Sequence, residues 1–348
     1  MNEYDPFLDA GAAMTSRLPR IAPLAALAAG LLLAAAFAGP LSAQTTSCRT
    51  VPACMLQLRF GETRPLRELA AQQLGEQGDP ASIPVLATAL AQDDGEFVRT
   101  HSAQALGRIG TIQAVTPLTM ALAEDKRELV RESAARALGA IQARDAVTPL
   151  AVALQKDTAW PVRAAAAMAL GQLHPTKAAA SALSAQLLND GRREVRIQAA
   201  EAIASLKAKE TVNALAKSLH DDPAPQVRTA VALTMAVVDG EAVDKALLAA
   251  LQEERDRGVR RTVAETMGRR KRQEVAAGLA HTLQMDPAIE VRQAAASALG
   301  RIGGPVARDA LTYYAAHSLF PQVRRAAQDA LADLPALAEA KPAAPAAN

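Results

Sequence analysis

The stretch VRTHSAQALGRI, residues 98–109, returns as VRQAAASALGRI at residues 291–302, with eight of the twelve residues identical. An aliphatic residue followed by arginine opens nine such stretches, and successive arginines are 32 residues apart except for one step of 33. The pairs are Leu66-Arg67, Val98-Arg99, Val130-Arg131, Val162-Arg163, Val195-Arg196, Val227-Arg228, Val259-Arg260, Val291-Arg292 and Val323-Arg324. A period this regular is typical of stacked copies of one supersecondary unit.

Each copy reads as two helices. With the aliphatic residue as position one, small residues occupy positions five, six and eight, a large apolar residue position nine, and Gly or Ala position ten. These spacings place the apolar residues on one stripe of a helix. The many alanines let helices approach closely, and a second apolar helix follows each turn, for example at residues 115–122. The pattern predicts an all-α chain built as an α-α superhelix.

An acidic residue stands six positions before the arginine in most copies. The acids are Asp93, Asp125, Asp157, Asp190, Asp222, Glu254 and Asp286, with Ser318 in the last copy. Such an acid can cap the next helix, or it can pair with the arginine of a neighbouring unit and form a ladder. For Arg196 we expect Asp190 as the matching acid. We therefore interpret the arginine row as structural rather than as an anion site, and its members are Arg99, Arg131, Arg163, Arg196, Arg228, Arg260 and Arg292.

Residues 1–43 have the layout of a secretory signal. Arg17 and Arg20 precede an apolar run at residues 24–37, and small residues follow up to Ala43. We expect cleavage after Ala43, with Ala38 as an alternative site. The sequence therefore predicts a periplasmic or secreted protein.

Two alternatives concern the same segment. Met14 is a better initiator than Met1, because residues 1–13 carry three acidic side chains that suit an export signal poorly. Residues 21–37 can also act as an uncleaved anchor in the inner membrane. That run is 17 residues long, at the short end of the roughly 17 to 25 residues that a spanning helix needs.

The rest of the chain divides into three parts. Residues 44–63 form a lead-in with Cys48 and Cys54, for which an oxidising compartment favours a disulfide over two independent thiols. Residues 64–334 hold the repeats. Residues 335–348 are rich in Ala and Pro and have no complete apolar stripe, which predicts a flexible tail.

The frame of Val-Arg, Ala-Ala, then Ala-Leu-Gly and Ile, preceded by Asp, resembles HEAT repeats of the phycobilisome-lyase-like type across residues 64–334. The resemblance implies antiparallel helix pairs stacked into a right-handed, HEAT/armadillo-like solenoid, with the Val-Arg helices on the concave face. This family includes bilin lyases, deoxyhypusine hydroxylases and adaptors. It therefore leaves open a scaffold and, as the alternative, a catalytic or accessory member of the lyase-like or hydroxylase-like group.

The residues argue against the enzymes. The hydroxylases that this chain resembles hold two irons through His-Glu pairs, whereas none of the five histidines here precedes Glu. These histidines are His101, His174, His220, His281 and His317. The sequence also lacks a glycine-rich phosphate loop and a nucleophile elbow. We expect no cofactor, no metal and no catalytic residue.

Charge gives little evidence for a nucleic-acid partner. Lys and Arg number 38 against 36 Asp and Glu, a formal net charge of +2. One basic cluster consists of Arg255, Arg257, Arg260, Arg261, Arg269, Arg270, Lys271 and Arg272. Acidic residues interleave with it and no aromatic side chain is nearby, so we interpret it as a solvated face rather than a phosphate-binding surface.

Positions three, seven and eleven of the Val-Arg helices should point away from the core. In the middle copies these positions include Ala164, Met168, Ile197, Thr229, Leu233 and Val237. One interpretation is a contiguous apolar groove for a peptide or helix, in which Met168, Ile197, Leu233 and Val237 make the contacts. Arg261, Arg269 and Arg301 would then steer an acidic partner. The other interpretation is that tighter local curvature buries these side chains.

The sequence therefore predicts an exported, non-enzymatic scaffold that binds a protein or peptide partner in the cell envelope. Contact with a membrane is expected only if the N-terminal segment is uncleaved. The sequence does not determine the oligomeric state.

Overall fold

The computed structural model describes residues 48–334, which form 18 α-helices and no strand. The helices that carry the Val-Arg pairs are α2 (Arg64–Gln77), α4 (Glu96–Ile109), α6 (Glu128–Ile141), α8 (Trp160–Gln172), α10 (Arg193–Leu206), α12 (Pro225–Thr234), α14 (Arg257–Arg270), α16 (Ile289–Ile302) and α18 (Pro321–Ala332). The predicted all-α solenoid is confirmed. The predicted signal or anchor and the predicted tail lie outside the described residues.

The remaining helices alternate with the Val-Arg helices, and we call them the outer helices. They are α1 (Val51–Phe60), α3 (Ile83–Gln92), α5 (Val115–Glu124), α7 (Val147–Lys156), α9 (Lys177–Asn189), α11 (Val212–Asp221), α13 (Glu241–Glu253), α15 (Ala276–Met285) and α17 (Gly304–His317). Short 3-10 turns directly precede some of the outer helices, including Arg144–Ala146 before α7 and Lys209–Thr211 before α11. None of these 18 helices is long and apolar enough to cross a bilayer. A disulfide joins Cys48 and Cys54 at the start of the described chain.

The recurring acid shapes the turn before each Val-Arg helix. Asp93 Oδ1 accepts a hydrogen bond from the amide of Gly95 at 2.8 Å, and Gly95 is itself the N-cap residue of α4. The side chain therefore stabilises the turn and does not bond to the first-turn amides, which corrects the capping role considered from the sequence. Asp256 does cap α14, since its Oδ1 accepts from the amides of Gly258 and Val259.

Small residues set the spacing of the Val-Arg layer. A Cβ added to Gly107 would lie 2.7 Å from Cβ of Ala137, and one added to Gly171 would lie 2.7 Å from Cα of Ala202. Four further glycines of this layer face an alanine of the next Val-Arg helix in the same way. The outer helices leave clefts instead, such as one of about 590 Å³ between α3 and α5. Because the Val-Arg layer is packed more closely than the outer layer, we infer that the stack curves towards the Val-Arg helices, and we call their outward side the concave side.

The core lies between the two layers. Fully buried leucines alternate between Val-Arg and outer helices, as with Leu106, Leu118, Leu138 and Leu150. Each repeat thus adds a thin apolar layer to its neighbours, and stability accumulates along the stack. This scaffold leaves positions three, seven and eleven of the Val-Arg helices facing the concave side.

Candidate partner-binding surface

The arginine row forms a ladder between successive repeats. Arg99 donates through Nε and Nη2 to both carboxylate oxygens of Asp125, at 2.7 and 3.0 Å, and through Nη1 to the carbonyl of Asp93 at 3.0 Å. Each such arginine bridges its own turn and the next one. The same pairing recurs in Arg67–Asp93, Arg131–Asp157, Arg163–Asp190, Arg196–Asp222, Arg228–Glu254 and Arg260–Asp286.

Two arginines depart from the sequence prediction. Arg196 pairs with the carboxylate of Asp222, not with that of Asp190. Its hydrogen bond to Asp190 is donated by Nη1 to the backbone carbonyl, at 2.8 Å. Arg292 meets no acid at the ladder position, because Ser318 stands there. It donates to the carbonyl of Asp286, and its guanidinium lies 5.1 Å from the ring centre of Phe320.

Two of the ladder carboxylates, Asp190 and Glu254, have lowered pKa values. Burial raises the pKa of Asp190, but hydrogen bonds from Arg163 and from the Arg192 amide, together with the charges of Arg163 and Arg196, outweigh it. The pKa of Asp190 therefore lies below its ordinary value. Burial likewise raises the pKa of Glu254. The hydrogen bond that its carboxylate accepts from Arg228 is the main contribution that brings the pKa of Glu254 below the ordinary value. Bidentate pairing of this kind leaves the ladder arginines committed to structure.

The predicted apolar contacts do not form one continuous surface. Leu233 and Val237 are exposed, with 42% and 45% of their surface accessible. Ile197 and Ala164 are half-buried and pack against the core. Met168 is half-buried, with its Sδ 3.8 Å from Nη1 of Arg136.

Glu201 interrupts the expected saddle. It occupies position seven of α10, between the positions of Met168 on α8 and Leu233 on α12, and it is exposed. The exposed apolar surface in the middle repeats is therefore smaller than the groove interpretation required, and the partner-binding role of these residues stays a prediction. Among these positions the structure leaves two exposed large apolar side chains, Leu233 near the end of α12 and Val237 in the turn that follows it.

The three flanking arginines lie in one groove. Arg261, Arg269 and Arg301 line a cavity of about 1280 Å³ across α14, α16 and α18. The charged residues of this groove are Arg261, Arg269, Lys271 and Arg301 against Glu265, Glu290, Asp329 and Asp333. Four cations and four anions balance, so this groove by itself gives no preference for an acidic partner.

The basic cluster is not wholly a solvated face. Arg270 is a buried structural residue whose side chain is 5% exposed, and it donates to Asp244 Oδ1 at 2.6 Å. It also donates to the carbonyls of Met235, Val238 and Gly240.

A sequence signal for the burial of Arg270 exists. Residue 270 is position twelve of its repeat, a position that holds a large apolar residue in most other copies, for example Ile109, Ile141 and Ile302. An arginine at a position that packs inward elsewhere should itself be buried, with partners for its donors. Treating the run of basic residues as one surface cluster hid that signal.

Few titratable groups of the described chain suggest chemistry. His101, which faces the concave side, has Nε2 2.9 Å from Nε2 of Gln72, and burial lowers the pKa of His101. Across residues 48–334 no three His, Cys, Asp or Glu side chains are grouped so as to hold a metal ion.

Comparison with known proteins identifies the repeats. The family model for HEAT repeats matches residues 53–139, 122–190, 180–263 and 243–332. The chain belongs to the HEAT-repeat family. Among curated proteins, none matches this HEAT-repeat chain.

Solved structures of HEAT-like proteins resemble it. Human deoxyhypusine hydroxylase in complex with glycerol is 25% identical, with 76% of this chain and 99% of that chain covered and a TM-score of 0.34. The CpcE–CpcF complex of phycocyanin lyase from Nostoc sp. PCC7120 is 19% identical over 85% and 99%, with a TM-score of 0.37. Kap95p, solved with RanGDP, is 13% identical over 82% of this chain and 44% of its own, with a TM-score of 0.60. At that identity, the likeness to Kap95p is one of fold.

Proposed function

We propose that this HEAT-repeat chain is a non-enzymatic scaffold that binds a protein partner on its concave side, with Leu233 and Val237 as the contact point. The observation that carries the proposal is the exposure of these two side chains together. Large apolar residues exposed as neighbours on a concave surface favour a binding site. Kap95p, which has the same fold, binds the protein RanGDP.

The location of this function is a second part of the proposal. We propose export to the cell envelope, on the basis of the basic and apolar layout of residues 1–43. The bond between Cys48 and Cys54 supports an oxidising compartment. A partner would then be an envelope or secreted protein.

Crosslinking tests the contact point. A photo-reactive amino acid is placed at Val237 in the full chain, and envelope extract is irradiated and analysed by mass spectrometry. We expect one dominant crosslinked protein, and we expect Leu233→Asp to remove it. Burying an aliphatic side chain fully is worth roughly 1.5 to 3 kcal/mol, and a buried unpaired carboxylate costs more.

The matched control is Val152→Asp. Val152 lies on outer helix α7 and is 48% exposed, close to the exposure of Leu233. Both variants should melt like wild type, since neither side chain is core. If Val152→Asp removes the crosslink and Leu233→Asp keeps it, we would conclude that the partner binds the outer helices. Unfolding of Leu233→Asp alone would show that Leu233 belongs to the core.

A further inference from the structure

A second cavity lies where the repeat pattern fails. Helix α12 has 10 residues, whereas its neighbours α10 and α14 have 14. The chain leaves the helix through tight i to i−3 bonds, from the amides of Ala236 and Val237 to the carbonyls of Leu233 and Thr234. The turn then passes Gly240 at φ +143°. A cavity of about 610 Å³ lies between this turn, the 3-10 turn before α11 and the end of α14.

Arg270 forms the floor of this cavity and is not available to a ligand. Its Nε, Nη1 and Nη2 all donate, to the Asp244 carboxylate and to the carbonyls of Met235, Val238 and Gly240. The carbonyls of Met235 and Val238 lie in the turn that follows the shortened helix, whereas the carbonyl of Gly240, the N-cap residue of α13, also accepts from the amide of Val243. Arg270 thus stabilises the break, and its charge is matched by Asp244.

The remaining charges at the cavity are mostly positive. Its lining includes Lys209, Arg269 and Arg272 and one acid, Asp239. All four side chains belong to exposed residues. The charge of Arg270 is matched by Asp244. The other three cations face one anion, so the cavity has an excess of two positive charges. Nε of Arg272 also lies 3.6 Å from Asp244 Oδ2. Lys209 and Arg269 are therefore the cations of this cavity that interact least with other charged groups.

The cavity adjoins both features already described. Val237 follows the cavity residue Ala236, and Leu233 lies one turn earlier on α12. Arg269 lines both this cavity and the 1280 Å³ groove. An apolar contact and a positive cavity are therefore side by side on the concave side.

We propose that the cavity lined by Lys209, Arg269 and Arg272 binds an acidic side chain of a peptide segment whose neighbouring aliphatic side chain packs on Leu233 and Val237. This inference rests on the proposed function and names the chemistry of the partner. Charge complementarity carries it, because the groove on the other side of Arg269 is neutral and this cavity is not.

The same surroundings disfavour a nucleic acid. The exposed apolar side chains beside the cavity, Leu233 and Val237, are aliphatic and provide no aromatic face for base stacking. A strand running on from Arg269 would also place its phosphates beside Glu265 and Glu290 in the neighbouring groove. An acidic peptide needs only one carboxylate in the cavity and tolerates a mixed groove beyond it.

Fluorescence anisotropy with the full chain tests the inference. The probe is a fluorescein-labelled 12-residue peptide made of three copies of Leu-Asp-Glu-Ser, and its control replaces Asp and Glu by Asn and Gln. At about 50 mM NaCl we expect the acidic peptide to bind at least about tenfold more tightly, and at about 300 mM NaCl we expect most of this difference to disappear.

Charge reversals locate the effect. We expect Lys209→Glu and Arg269→Glu each to weaken the acidic peptide by about five- to tenfold. The matched controls are Arg144→Glu, at the first residue of the equivalent 3-10 turn before α7, and Arg108→Glu, at position eleven of α4. Both controls should stay within about twofold of wild type.

Several outcomes overturn the inference. Equal binding of the two peptides, no binding of either, or equal losses in Lys209→Glu and Arg144→Glu would show that the cavity recognises no carboxylate. Tighter binding of a 12-nucleotide single-stranded DNA would assign it to phosphate. If both peptides bind equally and Leu233→Asp abolishes both, the apolar contact of the proposed function stands while the acidic partner is rejected. If binding of the acidic peptide is unaffected by Leu233→Asp, the proposed function fails at that contact.

Discussion

Replacing Arg196 by alanine tests the ladder where the structure and the simplest interpretation of the sequence differ. The structure pairs Arg196 with Asp222 of the next repeat through hydrogen bonds of 2.6 and 3.0 Å. The substitution removes both bonds and the bond to the carbonyl of Asp190. The carboxylate of Asp222 would keep only the hydrogen bond from the amide of Ala224.

The cost follows from burial of the pair. The Arg196 side chain is 10% exposed and the Asp222 side chain 4%, so the carboxylate left behind is largely out of water. Removing one member of a buried pair costs about 3 to 5 kcal/mol, because the other charge remains without compensation. Water can reach the edge of this turn, so we expect about 3 kcal/mol, the low end of that range.

Urea unfolding and native-state hydrogen exchange together measure this effect. A repeat protein can lose cooperativity when one interface weakens, so the unfolding midpoint alone is not a sufficient measure. We expect faster amide exchange in α10 and α12 and little change in α2 and α4. Arg193→Ala is the control, since Arg193 pairs with Glu194 on the exposed surface and such pairs are worth about 0 to 1 kcal/mol.

A double-mutant cycle identifies the partner. Arg196→Ala combined with Asp222→Ala should show a coupling of about 1 to 3 kcal/mol, and the cycle with Asp190→Ala a smaller one, because Asp190 is paired with Arg163. Two results would refute this reasoning. One is an Arg196→Ala variant as stable as Arg193→Ala, and the other is a stronger coupling to Asp190 than to Asp222.

Three further predictions follow from the packing, the charges and the N-terminus. Gly171→Val should cost at least about 1 to 3 kcal/mol in urea unfolding, because its Cβ would meet Cα of Ala202 at 2.7 Å, whereas Gly191→Ala, with open space, should stay within about 0.5 kcal/mol. Folding lowers the pKa of Asp190, so its ionised carboxylate should stabilise the fold fully above about pH 4, and this stabilisation should be lost as the pH falls further. A urea unfolding midpoint that rises on acidification would contradict this. Intact-protein mass spectrometry should find a chain that begins near Gln44, and an intact N-terminus in the membrane fraction would indicate the anchor.

The fold could be predicted because the repeat is redundant. Nine copies of one pair at steps of 32 or 33 residues indicate stacked units, and Gly or Ala at position ten of the Val-Arg helices indicates close approach. The structure gives this spacing its physical reason, since a Cβ at Gly107 would collide with Ala137. Composition and period together were therefore sufficient for the architecture.

The register of the ladder could not be predicted from the same period. Asp222 stands 26 residues after Arg196 and six before Arg228, and the same two separations recur along the ladder, except that Asp190 stands 27 residues after Arg163. The pattern is identical whether an acid pairs with its own arginine or with the preceding one. The choice depends on geometry. In Arg196, Nη1 donates to a carbonyl of the turn before its own helix, which leaves Nε and Nη2 to donate to the acid of the next repeat.

The candidate site lies where the redundancy ends. In the regular repeats the ladder arginines are paired with acids, and Gly and Ala bring neighbouring Val-Arg helices into contact. At α12 the frame fails, since the helix ends at Thr234, and Arg270 of α14 replaces an apolar residue and bonds to the turn that follows. A buried cation of this kind stabilises a cavity that the standard repeat would close. Departures from local consistency often mark functional sites, and here the departure places an apolar pair beside an excess of positive charge. A variant that restored the frame, Arg270→Ile, would leave Asp244 with Arg272 alone, whose Nε lies 3.6 Å from Asp244 Oδ2, and would remove the side-chain donor to the carbonyls of Met235 and Val238. The break, and the cavity with it, therefore depend on residues that cannot be exchanged one at a time.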